Sequence, residues 1–212
     1  MSIDLRARIA EGLAALGLDA PAAAPARLAT LLDELARWNR AYNLTAVRDP
    51  AEMVAVHVLD SLAVLPWLHG RRVLDVGTGA GFPGLPLAIV DATRDYVLLD
   101  GNGKKIRFVD HIRRRLGLDH VTALQARIEN YSPAAGFDTV VGRAFAPAPR
   151  FAADCRHVLA PGGRLLMLKG RDVAAELAGL APDWEYRTEP LDVPGLARRR
   201  HLVVLTPLET AR

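Results

Sequence analysis

One cysteine, Cys155, stands in the 212 residues. That scarcity excludes an internal disulfide framework and any multi-cysteine zinc or iron–sulfur site, and it fits a reducing compartment. The chain also lacks an apolar run of about 18 residues, the minimum for a membrane-spanning helix. Its start, Met1 to Arg8, mixes charge with apolar residues and does not read as a signal peptide. These absences lead us to expect a soluble cytoplasmic protein. No internal repeat and no extended low-complexity segment is present, which excludes solenoids and disordered arrays. The net charge is only +3, yet the pI is about 9.3 and the arginines are clustered, so the distribution of charge matters more than its sum. Half of the residues are hydrophobic. A chain of this size and composition buries a sizeable core, as one domain with a small appendage.

Apolar residues recur at helical spacing from Ile3 to Leu16 and from Arg27 to Tyr42, as Leu28, Leu31, Leu32, Leu35 and Trp38 show, with an Ala/Pro-rich joint over Ala20–Pro25. Asp49-Pro50-Ala51-Glu52 supplies an N-cap, a proline at the first helical position and an acid at the third, announcing a further helix running towards Trp67. The N-terminal third is therefore helical. Its Trp38–Thr45 segment reads either as a helix end with core-packing aromatics and Asn43 as terminator, or as a substrate-facing element. After Gly70 the rhythm changes to short apolar runs near Val73–Val76, Tyr96–Leu99, Val121–Leu124, Thr139–Val141 and Leu165–Lys169. Helices are expected between them, near Leu85–Val90, Lys104–Leu116 and Phe151–Leu159. That alternation is the pattern of a parallel sheet covered on both faces. Trp184–Arg187 and His201–Thr206 have no helix between them, so a direct antiparallel pair closes one edge. Residues 1–69 form a helical extension and 70–212 the α/β domain, packed as one compact unit.

The first strand runs into Asp75-Val76-Gly77-Thr78-Gly79-Ala80-Gly81-Phe82-Pro83-Gly84. A strand, a glycine-rich turn and a helix start bring backbone amides close to a bound cofactor. A side chain at Gly77 or Gly79 would hold the ligand away or forbid a positive φ. Gly79–Gly84 also fits the dinucleotide pattern, and Asp100 at the end of the second strand suits ribose hydroxyls under either reading. Three features favour a methyl donor over a nicotinamide. Asp75 sits two residues before Gly77, Pro161-Gly162-Gly163 turns into the fifth strand, and the last two strands form the antiparallel pair. Together they resemble the class I S-adenosylmethionine-dependent methyltransferases, a Rossmann-like fold with a seven-stranded, mostly parallel sheet. That resemblance implies that the first glycine loop accommodates the methionine moiety and that Asp100 holds the ribose. Asp75 reads equally as a ligand contact or as a buried acid pinning its own loop. No Tyr-x-x-x-Lys pair supports an oxidoreductase.

A narrower resemblance runs along nearly the entire chain. Arg37–Thr45, Arg48-Asp49-Pro50, His57–Ser61, Asp75–Gly84, Leu98-Leu99-Asp100 with Lys104-Lys105, Gly142-Arg143-Ala144-Phe145-Ala146, Leu168-Lys169-Gly170 and Arg200–Val204 fall in order. They look like the glucose-inhibited division protein B family, the bacterial 16S ribosomal RNA guanine-N7 methyltransferases. The resemblance implies transfer to the 530-loop guanine, position 527 in usual rRNA numbering, with 16S ribosomal RNA or the small ribosomal subunit as partner and a monomeric enzyme. It also implies Arg143 as the catalytic residue on the cofactor side, and Gly77, Gly79, Phe82, Asp100, Ile128, Glu129 and Arg143 as S-adenosyl-L-methionine contacts. Gly101 departs from the serine that the family usually carries after the second-strand acid.

The chemistry is consistent with the residues present. Guanine N7 offers an in-plane lone pair and no proton, so methylation needs alignment more than a general base. The acid/Asn-Pro-Pro-aromatic tetrad of exocyclic-amine methyltransferases is replaced here by Gly142–Ala146. Cys155, inside an amphipathic helix, reads as a small buried residue and not as a nucleophile. Arg143, just past the fourth strand, faces the ligand crevice of an open α/β sheet, or else forms a surface ion pair. Glu129 reads either as an adenine-side contact or as a solvated acid. His57, Asp60 and Ser61, at i, i+3 and i+4, share a helix face and suit a polar network bracing the cofactor loop; no metal site is expected from so few ligands. Lys104, Lys105 and Arg107, Arg113–Arg115, Arg198–Arg200, and Arg37, Arg40 and Arg48 around Trp38 and Tyr42 are candidate RNA contacts. Phe145 and Tyr42 are candidates for stacking a splayed base. The rival readings are a methyltransferase acting on another RNA, a protein or a small molecule, and a noncatalytic RNA-binding module.

Overall fold

The computed structural model describes residues 4–143, 145–170 and 173–208. Ile3, where the first helix was expected to begin, and Ala144 lie outside these residues. Helix α1 (Leu5–Ala15) is capped by Asp4, whose carboxylate accepts from the Arg6 and Ala7 amides. Helix α2 (Ala24–Tyr42) ends at Asn43, which takes the left-handed conformation at φ 49°. Asp49 caps α3 (Pro50–Met53), as its sequence position predicts. The helix then widens into a π-helical stretch (Val54–Leu59) before a last α-turn, α4 (Asp60–Leu62). Widened turns of this kind occur where a side chain must be re-aimed, often at functional sites.

Seven strands form one sheet: β1 (Arg72–Val76), β2 (Asp95–Asp100), β3 (Val121–Gln125), β4 (Phe137–Arg143), β5 (Leu159–Lys169), β6 (Trp184–Leu191) and β7 (Arg200–Pro207). Their order is β3-β2-β1-β4-β5-β7-β6. The first five are parallel, and β7 runs antiparallel between β5 and β6. Helices α5 (Gly84–Val90), α6 (Gly103–Arg115), α7 (Ala148–Cys155) and a short α8 (Ala174–Leu177) complete the chain. Each expected strand and helix is present with ends shifted by a few residues. One expectation changes. Leu159–Gly163 is not a turn ahead of β5 but part of it: Phe137 pairs with Leu159 and Thr139 with Arg164, so the intervening residues bulge out of the ladder, with Gly162 at φ 72°.

β1, β4, most of β2 and the Leu165–Leu168 run of β5 are buried, which is why they read as continuous apolar stretches. One face packs against α1, α2, the π-helical stretch, α5 and α6 through Ile9, Leu28, Leu32, Val58, Leu85 and Phe108. The other is covered by α7 and its surroundings through Phe151, Cys155, Val158 and Trp184. The N-terminal helices thus share a core with the sheet. Cys155 is buried, and its surroundings hold the thiol far above its ordinary range, as expected for a packing residue.

Helices and sheet are also tied by charge. Asp60 is fully buried; its Oδ2 lies 3.3 Å from Arg143 Nη1 and its Oδ1 lies 2.9 Å from Arg200 Nε. Arg200 therefore belongs to an internal ion pair and not to a free basic run with Arg198 and Arg199. Removing a shared buried counter-ion leaves two guanidinium groups uncompensated. Asp60→Ala should lower the unfolding free energy by about 3 kcal/mol, measured by urea denaturation. A loss below about 1 kcal/mol would contradict a structural role for this carboxylate.

Candidate functional site

A cleft of about 1070 Å³ opens at the C-terminal ends of β1, β2, β3 and β4. This is where an open α/β sheet binds ligands. Gly77, Thr78 and Gly79 follow β1; Asp100 ends β2 and Gly101 to Gly103 follow it; Ala126 to Glu129 follow β3; Arg143 ends β4, with Phe145 and Ala146 beyond it. The helical extension adds Leu44, Thr45 and His57 to the lining.

The glycine loop is built from within. Gly77 and Thr78 donate to the Leu99 carbonyl of β2, and Gly77 and Gly79 take φ values of 67° and 62°. Asp75 is completely buried and does not line the cleft; its Oδ2 accepts from the Thr78 hydroxyl at 2.5 Å and the Gly84 amide at 2.8 Å. Of its two readings, the loop-pinning one describes what is seen. A side chain on Gly84 would stand 2.8 Å from that same oxygen, so glycine is what lets the α5 backbone come down onto the acid. Burial raises the Asp75 carboxyl to about 6, against the opposing hydrogen bonds from Thr78 and Gly84.

Asp100 has a different environment. Its Oδ1 accepts from the Asn102 amide at 2.8 Å and its Oδ2 from the Gly79 amide at 3.0 Å, with Lys105 Nζ at 3.7 Å. The strand-end acid thereby positions the glycine loop while remaining on the cleft wall. Ile128 is buried beneath this wall, whereas Glu129 is exposed and lies 3.8 Å from Arg150.

Phe82 is buried at the far end of the loop, stacked on the His57 ring at a centroid distance of 4.8 Å. The Arg143 guanidinium carbon lies 5.5 Å from the centroid of the same Phe82 ring. Arg143 Nη1 donates to the Val56 carbonyl at 2.8 Å and pairs with Asp60, so the π-helical stretch fixes this side chain. Desolvation draws the guanidinium below its ordinary value, opposed by Asp60. Arg143 is thus both a cleft residue and an internal brace, where the sequence offered a crevice residue or a surface ion pair. Burial, and then the charge of Arg143, hold the His57 imidazolium down to about 4, so the ring is neutral at neutral pH. Its Nε2 is 2.9 Å from Thr45 Oγ1.

The shared face expected of His57, Asp60 and Ser61 does not become one network. His57 meets Phe82 and Thr45, Asp60 meets the two arginines, and the Ser61 hydroxyl turns back to the His57 carbonyl at 2.6 Å. Among the described residues no group of three His, Cys, Asp or Glu side chains is arranged to hold a metal.

A family model described as rRNA small subunit methyltransferase G, GidB, matches residues 25–203. The chain belongs to this family. A relative from Chromohalobacter salexigens named ribosomal RNA small subunit methyltransferase G is 51% identical over 200 residues, covering 94% of this chain and 96% of its own. One from Methylococcus capsulatus with the same name is 50% identical over 196 residues, covering 92% and 96%. Among solved structures, an S-adenosylmethionine-dependent O-methyltransferase from Thermotoga maritima superposes with a TM-score of 0.58 at 18% identity, covering 86% of this chain and 72% of that one. A methyltransferase from Aquifex aeolicus gives 0.55 at 21%, covering 77% and 96%. At these identities the shared property is the fold, which is that of the class I methyltransferases.

Within that family fold, the Trp38–Thr45 segment divides between its two readings. Trp38 packs on Phe108, Asn43 ends the helix, and Asn39 clamps Thr45 through two hydrogen bonds of 2.9 Å. That clamp delivers Leu44 and Thr45 to the cleft. Arg127 and Arg150, also on the cleft wall, are additions to the expected set. Arg127 was signalled only by directly preceding Ile128-Glu129, and Arg150 only by its helical neighbourhood.

Asp75 has a folded pKa above its unfolded value of 3.8, so its favourable contribution is complete below that value and is lost as pH rises to about 6. Asn at this position accepts the same two hydrogen bonds without a charge to desolvate. The stability of Asp75→Asn relative to wild type should therefore rise by about 2 kcal/mol between pH 4 and pH 6.5 in denaturant unfolding. A difference independent of pH would show that burial does not perturb this acid.

Proposed function

We propose that this chain transfers a methyl group from S-adenosylmethionine to N7 of a guanine in 16S ribosomal RNA, at the 530-loop guanine. The chain is a methyltransferase of small-subunit ribosomal RNA by family, and the base and loop follow from the resemblance of its motifs. Its place of work is the cytoplasm.

The observation that carries the cofactor reading is Asp100. Each of its oxygens accepts one backbone amide, which leaves lone pairs free for a ribose diol. Gly79, at positive φ with nothing nearer than 4.0 Å on its Cβ side, leaves bare backbone beside that acid for the methionine portion, and the Cβ side of Gly77 is covered by the Phe145 ring. Ile128, Leu99 and Ala126 offer an apolar wall for the adenine, with Glu129 at its edge. Phe82 shapes the end of the loop against His57. Arg143 retains guanidinium donors with no partner among the described residues, which suit the cofactor carboxylate. The residues present therefore fit the methyl donor.

When bound, S-adenosylmethionine supplies a methyl group on a sulfonium. Held by Gly79, Asp100 and Arg143, it would present that methyl to the guanine N7 lone pair, and the positive charge would pass from the sulfonium to the purine. No proton leaves, so no general base is required. This agrees with a cleft in which the one histidine among the described lining residues is neutral, buried and engaged with Thr45. Catalysis on this reading is alignment. Arg143 acts by holding the donor's end and by bracing the wall between β4 and the π-helical stretch.

The RNA reading draws support from charge around the cleft. Arg40, Arg48, Lys104 and Arg107 are exposed and pair with no carboxylate among the described residues. They lie on the segments that deliver Leu44, Thr45, Gly103 and Lys105 to the cleft wall. Phosphate contacts there would position a nucleic acid over the opening.

Isothermal titration of the full chain with S-adenosylmethionine should show one site, weakened by about tenfold or more in Asp100→Ala through loss of charged hydrogen bonds to the ribose. No heat of binding to the wild-type chain would overturn every methyltransferase version of this reading.

A further inference from the structure

One aromatic ring stands open to solvent inside the cleft. Phe145 is 38% exposed and lies two residues past the end of β4. The other exposed aromatics among the described residues, Tyr42 and Tyr186, do not line this cleft. Tyr42 packs on Trp38 with ring centroids 5.4 Å apart. Of the two side chains the sequence offers for stacking a base, the fold brings one to the cofactor loop.

The Phe145 ring is seated. A Cβ on Gly77 would come within 2.4 Å of Phe145 Cδ2, so the ring rests on bare loop backbone. It also meets Phe151 at a centroid distance of 6.0 Å and 67°, an edge-to-face contact. The chain that carries it is tied down: Lys169 Nζ donates to the Ala146 carbonyl at 3.1 Å, and Glu176 accepts from the Ala148 amide at 3.1 Å and from Lys169 at 2.8 Å. An exposed apolar ring, fixed on the loop where the methyl donor lies, is a preformed platform for a flat partner.

We propose that Phe145 is the surface on which the target guanine stacks, with its N7 edge turned to the loop of Gly77 and Gly79. The inference rests on the rRNA methylation reading above. A base buried in a duplex cannot reach this cleft, so the nucleotide is splayed out, and stacking on an aromatic face offsets part of the lost base stacking. Methylation at N7 also turns the neutral purine into a cation. The ring face is electron-rich, so the contact strengthens as that charge develops, and an interaction stronger in the transition state than in the ground state raises the rate of the chemical step. An aliphatic side chain fills the space but lacks this response.

The test uses the full chain with Phe145→Tyr, Phe145→Trp, Phe145→Leu and Phe145→Ala, and small ribosomal subunits from cells lacking this gene as methyl acceptor. Calorimetry should give S-adenosylmethionine affinities within about twofold of wild type in all four, since the ring belongs to the base and not to the donor. In single turnovers at saturating subunits, Tyr and Trp should stay within about threefold of wild type, while Leu and Ala fall by about tenfold or more. A Leu variant at the wild-type rate overturns the proposal. So does a loss of S-adenosylmethionine affinity that parallels the loss of rate, because the ring would then be a cofactor wall. A wild-type chain that binds S-adenosylmethionine but methylates no subunit overturns the rRNA reading itself, and this inference with it.

Discussion

The carboxylate of Asp60 holds three parts of the chain in register. It comes from the helical extension, Arg143 from the end of β4, and Arg200 from the start of β7. Two guanidinium groups around one buried acid are tolerable only when all three are in place, because each charge removed from water needs a counter-charge. The same cluster sets the position of Arg143 over the Phe82 ring and against the Val56 carbonyl. The wall of the cleft therefore depends on an ion pair that joins helices to sheet. A methyltransferase sheet without this extension would lack both the brace and the Leu44–Thr45 rim.

Two acids of the same type, each at or near the end of a strand, do different things because of what surrounds them. Asp75 sees no solvent, and its proton affinity rises; its task is to fold the glycine loop back onto α5. Asp100 sits at the cleft wall with backbone amides on both oxygens and faces the ligand space. The hydrogen-bonding capacity of Asp100 is thus presented where a ribose would meet it, and that of Asp75 is spent inside the loop. The neutral His57 follows the same division: between Phe82 and Thr45 it shapes the cleft without adding a proton donor or acceptor that N7 chemistry would use.

Much of this was legible in the chain. Short apolar runs such as Val73–Val76 and Leu165–Lys169 are strands because burial on both faces leaves no room for alternation. Asp49, Pro50 and Asn43 mark helix ends through local backbone chemistry, which a sequence states directly. What was illegible is what depends on distant partners. Arg200 reads as the third member of a basic run until Asp60, 140 positions earlier, is seen beside it. The π-helical stretch has no spacing signature, so ordinary helical spacing puts the three polar residues of His57–Ser61 on one face, where the fold gives them separate partners. Pro161-Gly162-Gly163 reads as a turn, yet the pairing of Phe137 with Leu159 carries it into the sheet as a bulge. Phe145 and Tyr42 looked alike on paper; only the packing of Tyr42 on Trp38, and of Phe145 on Gly77, separates them.

The central claim is that this cleft aligns guanine N7 of small-subunit ribosomal RNA with a methyl donor. It is tested most directly by mapping 7-methylguanosine along 16S ribosomal RNA, through borohydride reduction and aniline cleavage, in cells with and without the gene. The account predicts that one 530-loop cleavage is lost without the gene and restored by the wild-type chain. An unchanged cleavage pattern would contradict it.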